Sequence, residues 1–128
     1  MTYLREVELF EALRSIYPDL TPLSATDRAD GVTHDAYIEI KCRRTHYLTL
    51  MIERKKWDYL ADIRARTGAR TLYINATPSG VYQFDLGAIN APEWLLQRLP
   101  TKTDFAGSEK VEKWVGYLDV RHSELLFV

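Results

Sequence analysis

The sequence predicts an α/β fold, a mixed central β-sheet flanked by helices, and three observations carry that expectation. Apolar residues recur at three- and four-residue spacing over residues 3–17 and again over 53–67, the period of an amphipathic helix. Around these stretches lie short apolar or alternating runs of strand length, rich in β-branched and aromatic residues. The resulting order of helix, strands, helix, strands is that of an α/β sandwich with a mixed sheet.

In the first helix Leu9, Phe10, Leu13, Ile16 and Tyr17 form the apolar stripe, and Pro18 ends it. Residues 19–34 read as irregular, with a turn signal at Asp30-Gly31. Ala36 to Cys42 then sets Tyr37, Glu39 and Lys41 against Ile38, Ile40 and Cys42, the two-residue period of a half-buried strand. Residues 47–52 (YLTLMI) are too short to classify by period and read as a strand or as the entry to the next helix. The helix over 53–67 carries Trp57, Leu60 and Ile63 along one side, with Arg64 beside them, and Gly68 is its expected C-cap. Arg70–Ala76 and Val81–Leu86 read as strands joined by a turn at 77–80. A short helical piece opened by Pro92 is expected over 92–98. A strand is expected over Lys113–Val120, and the terminal LLFV either packs down or pairs.

A chain of 128 residues and 14.9 kDa fits a single domain, 1–128, able to bury one core without a disulfide or a structural metal. Its 46% apolar and 27% charged residues are ordinary globular composition, which excludes disorder. The single cysteine, Cys42, rules out a disulfide within the chain and suits a reducing compartment. No signal-peptide core opens the sequence, and no apolar run approaches the roughly 18 residues of a spanning helix. A cytoplasmic protein with no membrane partner is the expectation.

The net charge of −1 argues at first against nucleic acid, but its distribution does not. From Lys41 to Arg70, nine basic residues against three acidic ones give +6, while eight against fifteen elsewhere give −7. Such a local positive field is compatible with phosphate binding, although a solvated basic helix would produce the same count.

Glu39 and Lys41 are two apart on a predicted strand, so their side chains leave the same face. An acid and an amine held side by side suit phosphodiester hydrolysis. Carboxylates hold a hard cation such as Mg²⁺, which takes oxygen ligands. Lysine orients or deprotonates the attacking water, or stabilises the developing charge. A second carboxylate must come from a neighbouring segment, and Asp30 is placed to supply it from the turn before the strand. Asp27 and Asp35 are the other candidates.

Asp30 and the Glu39-Ile40-Lys41 triplet, with eight residues between Asp30 and Glu39 and a glutamate-bearing helix upstream, resemble the PD-(D/E)xK nuclease superfamily. More narrowly, the chain is similar to small phage-encoded endonuclease-like proteins. The stretch from Asp30-Gly31 through YIEIKCR to the Glu53–Tyr59 helix carries the likeness, and the ending LPTKTDF…KVEKWVGYLDV adds to it. The usual proline before the first aspartate is replaced by Ala29. The resemblance implies a restriction-endonuclease-like core and a Mg²⁺-dependent DNA endonuclease, with Mn²⁺ as an alternative ion, acting in the host cytoplasm if viral. It implies Asp30, Glu39 and Lys41 as catalytic, with Asp30 and Glu39 as metal ligands. Glu6 of the first helix is the further acid, chosen over Glu8 and Glu11. Arg43, Arg44, Lys55, Lys56 and Tyr59 would contact DNA, Lys55 and Tyr59 sharing one helix face. Cutting both strands would call for a homodimer or two events.

A different class of function stays open, a non-catalytic binding or inhibitor protein built on the same fold, as does an enzyme on RNA. Cys42 and His46, with only three scattered histidines, do not make a zinc site, and no phosphate-loop or dinucleotide glycine motif is present.

Overall fold

The computed structural model of the chain describes residues 4–100 and 110–128. Helix α1 spans Glu6–Leu13, shorter than expected from its stripe. The Glu8 side chain accepts from the backbone N–H of Arg5 and closes its start. Beyond Leu13 the chain tightens, with Ile16 N–H and Tyr17 N–H both bonding Leu13 O at 3.0 and 2.8 Å, before Pro18. Leu9 and Leu13 are fully buried.

Two very short strands, β1 (Thr21–Pro22) and β2 (Gly31–Val32), lead to β3 (Ala36–Cys42). The remaining elements are β4 (Thr49–Glu53), α2 (Arg54–Thr67), β5 (Arg70–Thr77), β6 (Gly80–Asp85), β7 (Leu95–Pro100), β8 (Lys110–Asp119), a 3₁₀ turn at Val120–His122, and β9 (Glu124–Phe127). Gly68 caps α2 in the left-handed region at φ 73°, its N–H bonding Arg64 O at 2.9 Å, as the sequence predicts.

The main sheet is mixed and six-stranded, in the order β1-β2-β3-β5-β6-β9. Its parallel pair is β3 and β5, in register from Ala36 opposite Arg70 to Cys42 opposite Ala76. A parallel pair needs a crossover, and β4 with α2 supplies it. The terminal LLFV is resolved in favour of pairing, since β9 lies antiparallel to β6.

Two expectations are corrected. There is a second sheet beside the one expected, three-stranded and antiparallel in the order β4-β8-β7, and of the two readings left open for residues 47–52 the strand is the outcome, over 49–52. The segment 92–98 is not helical. Leu95–Pro100 pairs with β8 at six positions, and Pro92, rather than opening a helix, packs against Gly116 of β8, where a Cβ would lie 2.3 Å from the proline Cγ. Cross-strand pairing from Leu95 onward outweighs the local helix-start preference of one proline.

These elements form layers about the six-stranded sheet. On one face α1 packs Leu9 and Leu13 onto Ile38, Ile40, Leu72 and Ile74. On the other, Leu60 and Ile63 of α2 join Leu50, Ile52 and Leu118 of the small sheet over Tyr73 and Phe84. No helix among the described residues is long and apolar enough to cross a membrane.

Candidate active site

The strand period of β3 holds in three dimensions. Ile38 and Ile40 belong to the α1-side core, with Cys42 packed beside them, while Glu39, Lys41 and Arg43 line a cleft on the opposite face. The cleft, of about 150 Å³, is closed by Met51 and Glu53 of β4, Lys56 of α2, Tyr73 of β5, Leu99 of β7 and Lys113 of β8. The small sheet is therefore what turns an exposed strand face into a cleft.

Asp30 reaches the same place from the sheet edge. Its N–H bonds Ile38 O at 2.9 Å, and its Oδ2 accepts from Ile40 N–H at 2.8 Å, so it is fastened on both sides of Glu39. Gly31, which follows it, runs close beneath the α1-side core: a Cβ there would lie 2.9 Å from Leu20 Cδ1 and 3.0 Å from Phe10 Cε2. Asp27 instead caps a local turn, accepting from the backbone and side chain of Ser24. Asp35 is held by Thr33. Of the three candidate aspartates, Asp30 is the one that meets Glu39.

Glu39 is only 8% exposed, and burial first and the Asp30 carboxyl after it, against the opposing pull of Lys56, push its carboxyl up to about 7. The Lys56 ammonium lies 3.3 Å from Glu39 Oε1 and donates to Arg28 O at 2.5 Å. Lys41 lines the same cleft with no ion-pair or hydrogen-bond partner among the described residues. Two crowded carboxylates, one already neutralised by a cation, form a donor set of the kind a hard divalent ion accepts while keeping several of its waters. No group of three His, Cys, Asp or Glu side chains among the described residues is arranged to hold a metal. Any ion here would rest on the Asp30–Glu39 pair, main-chain oxygen and water.

Glu6 does not join that pair. It is exposed in the first turn of α1, which packs on the other face of the sheet. Its charge is felt instead at Cys42, whose thiol is pushed up to about 11 by burial first and by Glu6, Asp30 and Glu8 after it. Arg43 is also differently employed. Its guanidinium donates to Asn75 Oδ1 at 2.6 Å, to Met51 O at 2.7 Å and to the Tyr73 hydroxyl at 3.1 Å, tying the large sheet to the small one. Arg44 is exposed just beyond β3.

Beside the cleft, separated from it by Lys56 and Glu53, is a groove of about 270 Å³ whose other walls are Arg28, Lys55 and Tyr59. The Arg28 guanidinium lies 4.4 Å from the centre of the Tyr59 ring, in cation–π contact. Lys55 and Tyr59 do share a face, as their spacing predicts. The +6 stretch is not one patch, however. Arg64 and Arg66 sit in the last turn of α2, the better part of 20 Å along the axis from its start. Arg64 bonds Thr71 there, Arg66 pairs with Asp62 and Arg70 with Asp85.

The sequence reading missed Arg28, Asn75 and Lys113, and it named Glu53 only as part of the start of the second helix. Glu53 and Lys113 face each other across the small sheet at 3.2 Å, a pairing invisible without the β4–β8 register. Asn75, a fully buried amide in an apolar strand directly opposite Lys41, was the one detectable signal.

Compared with family models, curated proteins and solved structures, the chain matches none. The candidate site therefore stands on its geometry. Another concavity, about 530 Å³ between residues 88–92 and 117–122, lies away from these residues. Its carboxylate, Asp119, is held by Arg121 at 2.7 Å.

Proposed function

We propose that the protein is a metal-dependent nuclease with a restriction-endonuclease-like core, hydrolysing phosphodiester bonds of DNA. The observation that carries this reading is the meeting of the Asp30 and Glu39 carboxyls at the edge of β3, with Lys41, which has no partner among the described residues, next on the same face. The parallel β3–β5 pair, its helix-containing crossover and the helix on the opposite face are compatible with such a core.

In this reading Asp30 and Glu39 would hold Mg²⁺ or Mn²⁺, and the ion would supply Lewis-acid polarisation of a phosphoryl oxygen and a more acidic water. Lys41 takes or steadies a proton of the attacking water, or meets the negative charge that grows on phosphorus oxygens. Water adds at phosphorus, the P–O ester bond breaks, and a phosphomonoester and a hydroxyl result. Lys55, Arg28 and Tyr59 border the route along which flanking phosphates would run. Arg43 keeps a positive charge behind the cleft without leaving its internal bonds. Glu6 has no part in it.

The test is cleavage of supercoiled plasmid and of branched junction DNA with Mg²⁺ or Mn²⁺. Wild type should cut, and Lys41→Met, Asp30→Asn and Glu39→Gln should each lose at least 100-fold. Equal behaviour of wild type and Lys41→Met would remove the catalytic reading. The Glu39–Lys56 ion pair favours one alternative, a non-catalytic DNA- or protein-binding module in which the acids serve as a structural pair. In that case metal would change neither cleavage nor binding.

A further inference from the structure

The first turn of α2 breaks a local rule. Arg54, Lys55 and Lys56 occupy it with no acidic residue, although the positive end of a helix dipole disfavours cations there. Rules of this kind are broken where function requires it. Each of the three has a different setting. Arg54 pairs within its own helix to Asp58, and Lys55 is exposed beside the groove. Lys56 points into the cleft and ends among oxygens, with Glu39 Oε1 at 3.3 Å and Arg28 O at 2.5 Å. Anionic and carbonyl oxygens are also the donors that a hard divalent cation selects. The Asp30 carboxyl stands beside the same Glu39.

Lys56 is also one of two residues that line both the cleft and the neighbouring groove. Its flexible stem can carry the ammonium from one to the other by side-chain rotation alone, with no movement of α2. A divalent cation against Glu39 would repel an ammonium a few ångströms away. The groove beyond, bordered by Arg28, Lys55 and Tyr59, is where an added cation would serve an incoming phosphate.

Resting on the nuclease reading, we propose that Lys56 is a resident cation that occupies the Asp30–Glu39 seat in the metal-free protein, leaves it when a divalent ion binds, and then grips the DNA backbone from the groove. Metal binding and DNA binding are thereby coupled through one side chain. Each ligand must favour the other, since a coupling free energy is reciprocal.

The full chain is titrated with Mg²⁺ and Mn²⁺ by calorimetry, without DNA, as wild type, Lys56→Met and Lys56→Gln. Gln keeps a donor for Arg28 O and so guards against loss of folding in the Met variant. Both variants should bind the ion at least tenfold more tightly than wild type, and Asp30→Asn should abolish binding in all three backgrounds. In parallel, catalytically inert Ca²⁺ should strengthen binding of a short DNA duplex several-fold in wild type, and much less in Lys56→Met. Ion affinity that is unchanged or weaker in both Lys56 variants overturns the role of Lys56 while leaving the nuclease reading intact. Absence of any Asp30-dependent ion binding overturns both.

Discussion

The two faces of β3 are built by opposite rules. Toward α1, Ile38 and Ile40 are buried among apolar neighbours, Leu9 and Leu13 with them. Toward the small sheet, the same strand and the residue after it present an acid at 8% exposure, a lysine with no partner among the described residues and an internally bonded arginine. The first face stabilises the fold by removing apolar surface from water. The second tolerates desolvated charge, which costs stability wherever pairing is incomplete. One strand thus separates what holds the domain together from what the site needs. Substitutions on the two faces should have opposite signatures, stability lost on one side and activity lost on the other.

The largest effect belongs to the apolar face. Ile38→Ala removes a fully buried side chain from between α1 and β5. It should cost about 3 to 4 kcal/mol in urea denaturation. Ion binding by the surviving folded fraction should be unchanged. A loss under 1 kcal/mol would mean that this face is not the packed core described.

Arg43 tests whether the polar face is uniformly a working surface. Its three bonds end on Asn75, Tyr73 and Met51, all at or behind the cleft wall. Arg43→Met should cost on the order of 2 to 3 kcal/mol, because buried acceptors are stranded when a charged donor is removed. Its DNA-binding salt dependence should stay that of wild type. If the salt slope falls instead while stability holds, Arg43 is a phosphate contact and the two sheets are joined by other means.

Glu39 should give the reverse sign. Its carboxyl is pushed up to about 7, chiefly by burial and then by Asp30. An acid with a raised folded pKa destabilises in its charged form. That penalty is absent below the ordinary carboxyl value near 4.5, grows as pH rises, and is complete above about 7. In EDTA at pH 8, Glu39→Gln should therefore be more stable than wild type by on the order of 2 kcal/mol, while cleavage is lost. The advantage should shrink progressively toward pH 4.5. A stability difference that ignores pH would show that Glu39 is not buried as a charge.

How far such signatures could be read from residues alone depended on the range of the contacts behind them. The alternation Tyr37 to Cys42 sorted β3 into its two faces, because strand period is local. Gly31 after Asp30 signalled the turn for the same reason. Glu6 was misplaced because an apolar stripe says that Leu9 and Leu13 face inward, not which side of the sheet α1 will cover. The small sheet escaped because β4 pairs with β8 more than 60 residues away, from Thr49 opposite Asp119 to Glu53 opposite Val115. The basic stretch was overcounted because adjacency in sequence was taken for adjacency in space, and α2 carries its later arginines away from the cleft. What the sequence makes legible is the strand and its turn; what it hides is everything that closes over them. The likeness in residues reached Asp30, Glu39 and Lys41, while part of the ending LPTKTDF lies in 101–109, outside the described residues.

The smallest effect concerns the two ends of α2, which repeat the contrast of the two strand faces in miniature. Its last turn obeys the dipole, with Arg64, Arg66 and the Gly68 cap, and those arginines are spent on Thr71 and Asp62. Its first turn defies the dipole with three cations, and Lys55 there is exposed beside the groove. Lys55→Gln should make the helix start more favourable by about 0.5 kcal/mol, a rise in Tm of a few degrees at most. The same change should weaken DNA binding and lower the slope of log affinity against log salt by about one unit. Arg66→Gln at the other end should leave the salt slope untouched, since Arg66 neutralises Asp62 and not a phosphate. If both substitutions lower the slope alike, DNA lies along the whole helix and the sorting of its cations into working and structural ones is wrong.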